Sequence, residues 1–97
     1  MISVDLPLVR TLLVAYLNRT TGESTEAERI EEFALENSAG VVDDAIQELR
    51  TLLDRPIVPV GEVVRLANRH METEDEVRQW LSSVLADLER LRAERSD

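Results

Sequence analysis

Thr73-Glu74-Asp75-Glu76-Val77-Arg78-Gln79-Trp80-Leu81-Ser82-Ser83-Val84-Leu85-Ala86-Asp87-Leu88-Glu89-Arg90-Leu91 decides the fold. Its apolar positions Val77, Trp80, Leu81, Val84, Leu85, Leu88 and Leu91 are separated by 3, 1, 3, 1, 3 and 3 residues. That spacing lays one apolar stripe along a helix with 3.6 residues per turn. Thr73 and Glu76 stand at capping-box spacing, and Glu74 and Asp75 place negative charge where the helix dipole favours it. Trp80 falls on the stripe and is expected in the core. The alternative is an exposed anchor, because tryptophan is enriched in binding hot spots. Residues 93–97 are expected to fray.

Moving towards the N-terminus, Pro59 suits the start of a shorter helix carrying Val60, Val63, Val64 and Ala67. Arg55-Pro56-Ile57-Val58-Pro59 must be extended, since two prolines this close cannot sit inside a helix. Ile57 and Val58 are expected to dip into the core. A third helix runs from about Gly40 to Leu53, with Val42, Ala45, Ile46, Leu49, Leu52 and Leu53 on its buried face. Asn37 ends the helix before it and Ser38 caps this one. That preceding helix begins near Thr25, which has Glu28 at capping-box spacing. Its apolar stripe is Ala27, Ile30, Phe33 and Ala34. Asn18 to Ser24 reads as a loop. The first helix carries Leu8, Val9, Leu12, Leu13 and Tyr16, with Asp5 as its expected cap and Pro7 tolerated in the opening turn.

No segment alternates at a period of two for long enough to be a strand. The expected fold is therefore all-α: an antiparallel bundle of about five short helices. It forms one domain over residues 1–97, with its core at about 6–92. The 97 residues contain no cysteine, which excludes disulfides, thiolate metal sites and a cysteine nucleophile. No apolar run approaches the roughly 20 residues of a membrane span, and no signal peptide is read. A cytoplasmic location is the expectation.

Catalytic chemistry finds little support. His70 is the sole histidine, expected at the surface near a helix end, and a metal site needs further ligands at helical spacing. Ser82 and Ser83 lie inside the last helix, Ser24 and Ser38 look like loop or cap residues, and none has a nucleophile-elbow context. The three glycines are isolated, so no loop cradles phosphate. Carboxylates are abundant, but acids on solvated helix faces far outnumber catalytic pairs. The sequence implies no enzyme, cofactor or metal.

Charge is the feature left over. The net charge is -9, and all 11 basic residues are arginine. Residues 1–22 carry net +1, residues 23–54 net -8 and residues 55–97 net -2. An acidic chain is poorly suited to nucleic acid or to an anionic membrane. Its acidic cluster suits either a solvated face that aids solubility or a basic protein partner, whose encounter complementary potential accelerates and orients. Glu28, Glu31, Glu32, Asp43, Asp44 and Glu48 are the expected partner-binding residues.

The chain also resembles the small helical immunity proteins of contact-dependent growth inhibition and related polymorphic-toxin loci. The resemblance covers roughly residues 6–92 and rests on the order of four elements. They are Leu12-Leu13-Val14-Ala15-Tyr16-Leu17, the helix from Ala27 to Phe33, Glu48-Leu49-Arg50-Thr51-Leu52-Leu53, and Trp80-Leu81-Ser82-Ser83-Val84-Leu85. The chain departs from that pattern at Ala67-Asn68-Arg69-His70-Met71, where a Gly- and Tyr-containing stretch is usual, and in the Arg55–Pro59 linker. The resemblance implies a cytoplasmic inhibitor that occludes a cognate toxin domain, commonly a basic nuclease, and a monomer is favoured. The competing expectation is a helical adaptor or regulatory domain, possibly a homodimer through the last helix.

Overall fold

The computed structural model describes residues 4–18 and 25–95, and its architecture follows from the apolar stripes. Helix α1 spans Pro7–Thr11 and continues directly as a π-helical segment, Leu12–Tyr16. Then come α2 (Glu26–Glu36), α3 (Ala39–Asp54), α4 (Val60–Ala67) and α5 (Glu74–Glu94). Among the described residues there is no strand, and the fold is all-α. The loop expected over 18–24 lies, apart from Asn18, outside the described residues.

Helix α5 packs against both α2 and α3, and the first helix with its π segment packs against the same two. Helices α2 and α3 touch each other little beyond the short turn that joins them, so they occupy opposite sides of the bundle. The pairs Arg92–Asp43 and Arg78–Leu53 run α3 antiparallel to α5. Helix α2 runs in the same sense as α5, since Glu26 meets Trp80 near one end and Ala34 meets Arg95 near the other.

The buried layer contains Ile30, Phe33, Val42, Leu49, Leu52, Val77, Leu81, Val84 and Leu88. These are stripe positions named from spacing alone. Trp80, Leu85 and Leu91 are partly buried against that layer. Four local expectations are corrected. Ala27 is exposed, so the stripe of α2 begins at Ile30. Ile57 points outward while Val58 alone enters the core. Leu66 joins Val63 and Ala67 inside, displacing Val60 and Val64 to half-buried positions. The reciprocal capping box is Thr25–Glu28, with both bonds at 3.1 Å, whereas Thr73 accepts only the Glu76 N–H at 3.2 Å.

Helix ends are where the sequence reading falls shortest. Asp5 does not cap α1: Leu6 occupies the N-cap position and Asp5 pairs with Arg55 at 2.7 Å. The N–H groups of Leu8 and Val9 donate instead to Glu48 Oε1, at 2.8 and 3.1 Å, from forty residues away. Three arginines close C-terminal ends. Arg29 donates to the carbonyls of Ala15 and Tyr16. Arg95 takes those of Ala34 and Asn37, and Arg78 those of Leu53, Arg55 and Pro56. The last four carbonyls of a helix lack intrahelical donors, and a cation there also meets the negative end of the dipole. A planar guanidinium reaches two or three such oxygens at once. Arg95 thereby fixes the chain just past Glu94, inside the stretch expected to fray. Helix α4 closes differently, on Asn68 in the left-handed region (φ 51°), a conformation asparagine tolerates better than most residues.

Candidate docking surface on helix α2

The turn order of α2 assigns each of its residues a role. Ile30, Phe33 and Ala34 face the core. Arg29, Phe33 and Glu36 meet the π segment: Phe33 stacks edge-on against Tyr16 at 5.3 Å, and Glu36 accepts from the Tyr16 hydroxyl at 2.6 Å. The Glu36 carboxylate holds the Tyr16 phenol above its ordinary pKa, because ionisation would remove that hydrogen bond and set two anions side by side. Glu26 turns towards α5 and the segment that follows α4, accepting from the Trp80 indole N–H and pairing with Arg69 at 2.9 Å. The Arg69 guanidinium lies 4.8 Å over the Trp80 ring. Trp80 is therefore neither a fully buried core residue nor an open anchor: it is half-buried, with its polar edge and one face engaged.

Besides Ala27 and Glu32, Glu28, Glu31 and Leu35 remain, spaced three and four residues apart on the outward face. All three are exposed, Leu35 by 75%. Glu28 closes the capping box of its own helix. The Thr25 backbone N–H, followed by its hydroxyl, holds that carboxyl below the usual glutamate range. Glu31 makes no hydrogen bond or ion pair among the described residues. Glu32 borders this face and pairs with Arg29 at 2.6 Å.

The six acids singled out from charge density do not form one surface. Glu28, Glu31 and Glu32 stay together on α2. Asp43, Asp44 and Glu48 lie on α3, across the bundle. Glu48 is turned inward to cap α1. Asp43 pairs with Arg92 at 2.8 Å, at the edge of an open trough between α3 and α5. Asp44, like Asp54 at the end of the same helix, is exposed and without a partner among the described residues. Leu35 was missed because it lies off the apolar stripe. Its signal is present nonetheless, since it stands four residues beyond Glu31 and seven beyond Glu28.

Two open troughs line the α3–α5 seam, about 440 and 320 Å³ in volume, and share Gln47 and Arg50. The Arg50–Glu89 ion pair spans the seam between them. Neither trough holds His70, which is exposed and lies 3.2 Å from Glu72. Ser83 donates to the Gln79 carbonyl of its own helix. Among the described residues no group of three or more His, Asp or Glu could hold a metal ion, and no helix is long and apolar enough to cross a membrane.

No protein-family model, no curated protein and no solved structure matches this chain.

Proposed function

We propose that the protein is a binding domain of the immunity type, which neutralises a basic toxin domain by covering it and catalyses nothing itself. One observation carries this reading. Helix α2 presents an outward face of Glu28, Glu31 and Leu35, in which neither acid is paired with a cation among the described residues and the leucine is open to solvent. Most arginines, by contrast, are engaged inside the fold, capping helix ends or pairing with acids across helix boundaries. The unbalanced charge is therefore negative and faces outward. A basic partner gains long-range attraction from it, and Leu35 supplies a short-range apolar contact.

This narrows the interface expected from sequence to α2, with Asp43 and Glu48 given structural tasks instead. The homodimer alternative finds no comparable support. The outward residues of α5 include Gln79, Ser82, Ser83 and Ala86, and the large exposed apolar residues, Val14, Leu35 and Ile57, lie on other elements.

The test is co-expression with the product of the adjacent reading frame, followed by co-purification and a growth assay. The expected result is a stoichiometric complex, rescue of growth, and an association rate that falls steeply with salt. Toxicity unchanged by co-expression would overturn the reading. A rate flat from low to high salt would remove the acidic face from it.

A further inference from the structure

The first helix changes character midway. Through Thr11 it is an α-helix, but from Leu12 to Tyr16 the hydrogen bonds reach one residue further, so the Leu17 N–H meets the Leu12 carbonyl at 2.9 Å. Single π turns are rare and recur at functional positions. Each costs one residue of helical advance, so everything after it is rotated relative to a continuous α-helix. Here the rotation has visible consequences. Leu17 enters the core, and Asn18 donates from its side-chain amide to the Leu66 carbonyl of α4 at 3.0 Å.

A single side chain of α2 holds the end of this turn. Arg29 donates from Nε to the Tyr16 carbonyl (2.9 Å) and from Nη2 to the Ala15 carbonyl (2.8 Å). Its third nitrogen pairs with Glu32 at 2.6 Å, and its guanidinium lies 5.5 Å from the centre of the Tyr16 ring. Each of its three nitrogens therefore donates a hydrogen bond. Two of its contacts fix the backbone where the π turn ends. The third is to an acid at the border of the outward face.

We propose that Arg29 is a register lock: it holds the first helix in its π register, and the Arg29–Glu32 pair ties that register to occupancy of the α2 face. A cationic partner side chain that takes Glu32 withdraws one anchor from Arg29. The segment then shifts towards continuous α-helix, with the Leu17 N–H moving from the Leu12 to the Leu13 carbonyl and Asn18 leaving α4. The lock itself stands on the geometry; its link to partner binding rests on the docking role proposed for α2. A ligand shifts such an equilibrium only through a difference in affinity for the two registers, and competition for Glu32 supplies that difference.

Through-hydrogen-bond NMR couplings on labelled full-length protein separate the two parts. The native protein should show a Leu17 N to Leu12 C′ correlation. Arg29→Lys keeps the charge beside Glu32 but cannot bridge both carbonyls, and it should move the correlation to Leu13 C′. Arg29→Ala should do the same. If Arg29→Lys retains the Leu12 correlation, the lock is overturned. Hexa-arginine peptide is the probe for coupling. Titrated into the native protein at low salt, it should weaken the Leu12 correlation and shift the Asn18 side-chain amide. A register that moves in Arg29→Lys but stays fixed under peptide would overturn the coupling to the α2 face and leave the lock standing.

Discussion

On α2, Glu28 and Glu31 stand in solvent beside an exposed leucine; on α3, Glu48 folds inward to cap another helix and Asp43 is bound to Arg92. The two helices carry similar runs of acid in the sequence. The difference lies in what surrounds each. Helix α3 borders the start of α1 and Arg92 of α5, so Glu48 and Asp43 meet donors. Among the described residues no donor from another element reaches Glu28 or Glu31 on α2. Acid density alone therefore says little about a docking surface. What matters is whether the fold supplies a donor within reach.

The comparison has a common foundation, the apolar layer on which both helices close, and the largest expected effect lies there. Leu81 of α5 is fully buried in that layer. Leu81→Ala should cost about 2–5 kcal/mol, the range for buried leucines, read from denaturant midpoints at constant m-value. A loss below about 1 kcal/mol, the scale of surface changes, would mean that this layer does not hold the bundle together.

Next comes the contrast itself. Glu48→Ala removes the acceptor for two N–H groups at the start of α1, and loss of an N-terminal cap costs about 0.5–2 kcal/mol. Glu48→Gln keeps an oxygen but loses the charge that favours the helix dipole, so about 0.3–1 kcal/mol should remain lost. If Glu48→Ala is as silent as a surface substitution, the inward role of α3 acids is wrong and Glu48 returns to the list of partner contacts.

Much of this is legible in the sequence, and the limits are physical. The stripes on α3 and α5 were readable because burial repeats every three or four residues and leaves a periodic trace. Ser38 and Thr25 were readable because their caps are local, within three residues. Glu48, Arg29, Arg78 and Arg95 were not, because a side chain that closes another helix across the bundle leaves no spacing to find. Ile57 and Val58 were inseparable by hydropathy. Once Arg78 fixes the Leu53, Arg55 and Pro56 carbonyls, the extended linker can bury only one of two successive side chains. The candidate site suffered most. Charge density groups its three α2 acids with three on α3, two of which, Asp43 and Glu48, the tertiary contacts assign elsewhere.

A smaller effect is expected at low pH. Glu28, Asp5 and Glu62 all have folded pKa values below their ordinary ones. For Glu28 the first cause is the Thr25 N–H, for Asp5 the hydrogen bond from Arg55, and for Glu62 that from Arg65. A depressed carboxyl contributes stability that is complete above its unfolded pKa and is lost as pH falls through the folded one. The stability gap between the native protein and Glu28→Ala should therefore hold steady from pH 7 down to about 4.5 and narrow below it. A gap that widens on acidification would reverse the sign and undo the capping assignment.

The smallest effect on folding should come from the residues that matter most for binding. Among the described residues Glu31 has no partner to lose, and Leu35 buries little, so Glu31→Gln and Leu35→Ser should each change stability by no more than about 0.5 kcal/mol. Their effects on a basic partner should differ in kind. Glu31→Gln weakens long-range attraction, so it should slow association and flatten its salt dependence while leaving dissociation nearly unchanged. Leu35→Ser removes a contact that exists only after docking, so it should speed dissociation and leave the salt dependence intact. Stopped-flow association and chase experiments on the co-purified complex read both rates. If the two substitutions alter the same rate to the same extent, the face does not combine steering with contact. If both rates are unmoved, the partner sits elsewhere, and Asp44 and Asp54 become the next acids to test, since both are exposed and unpartnered on α3 among the described residues.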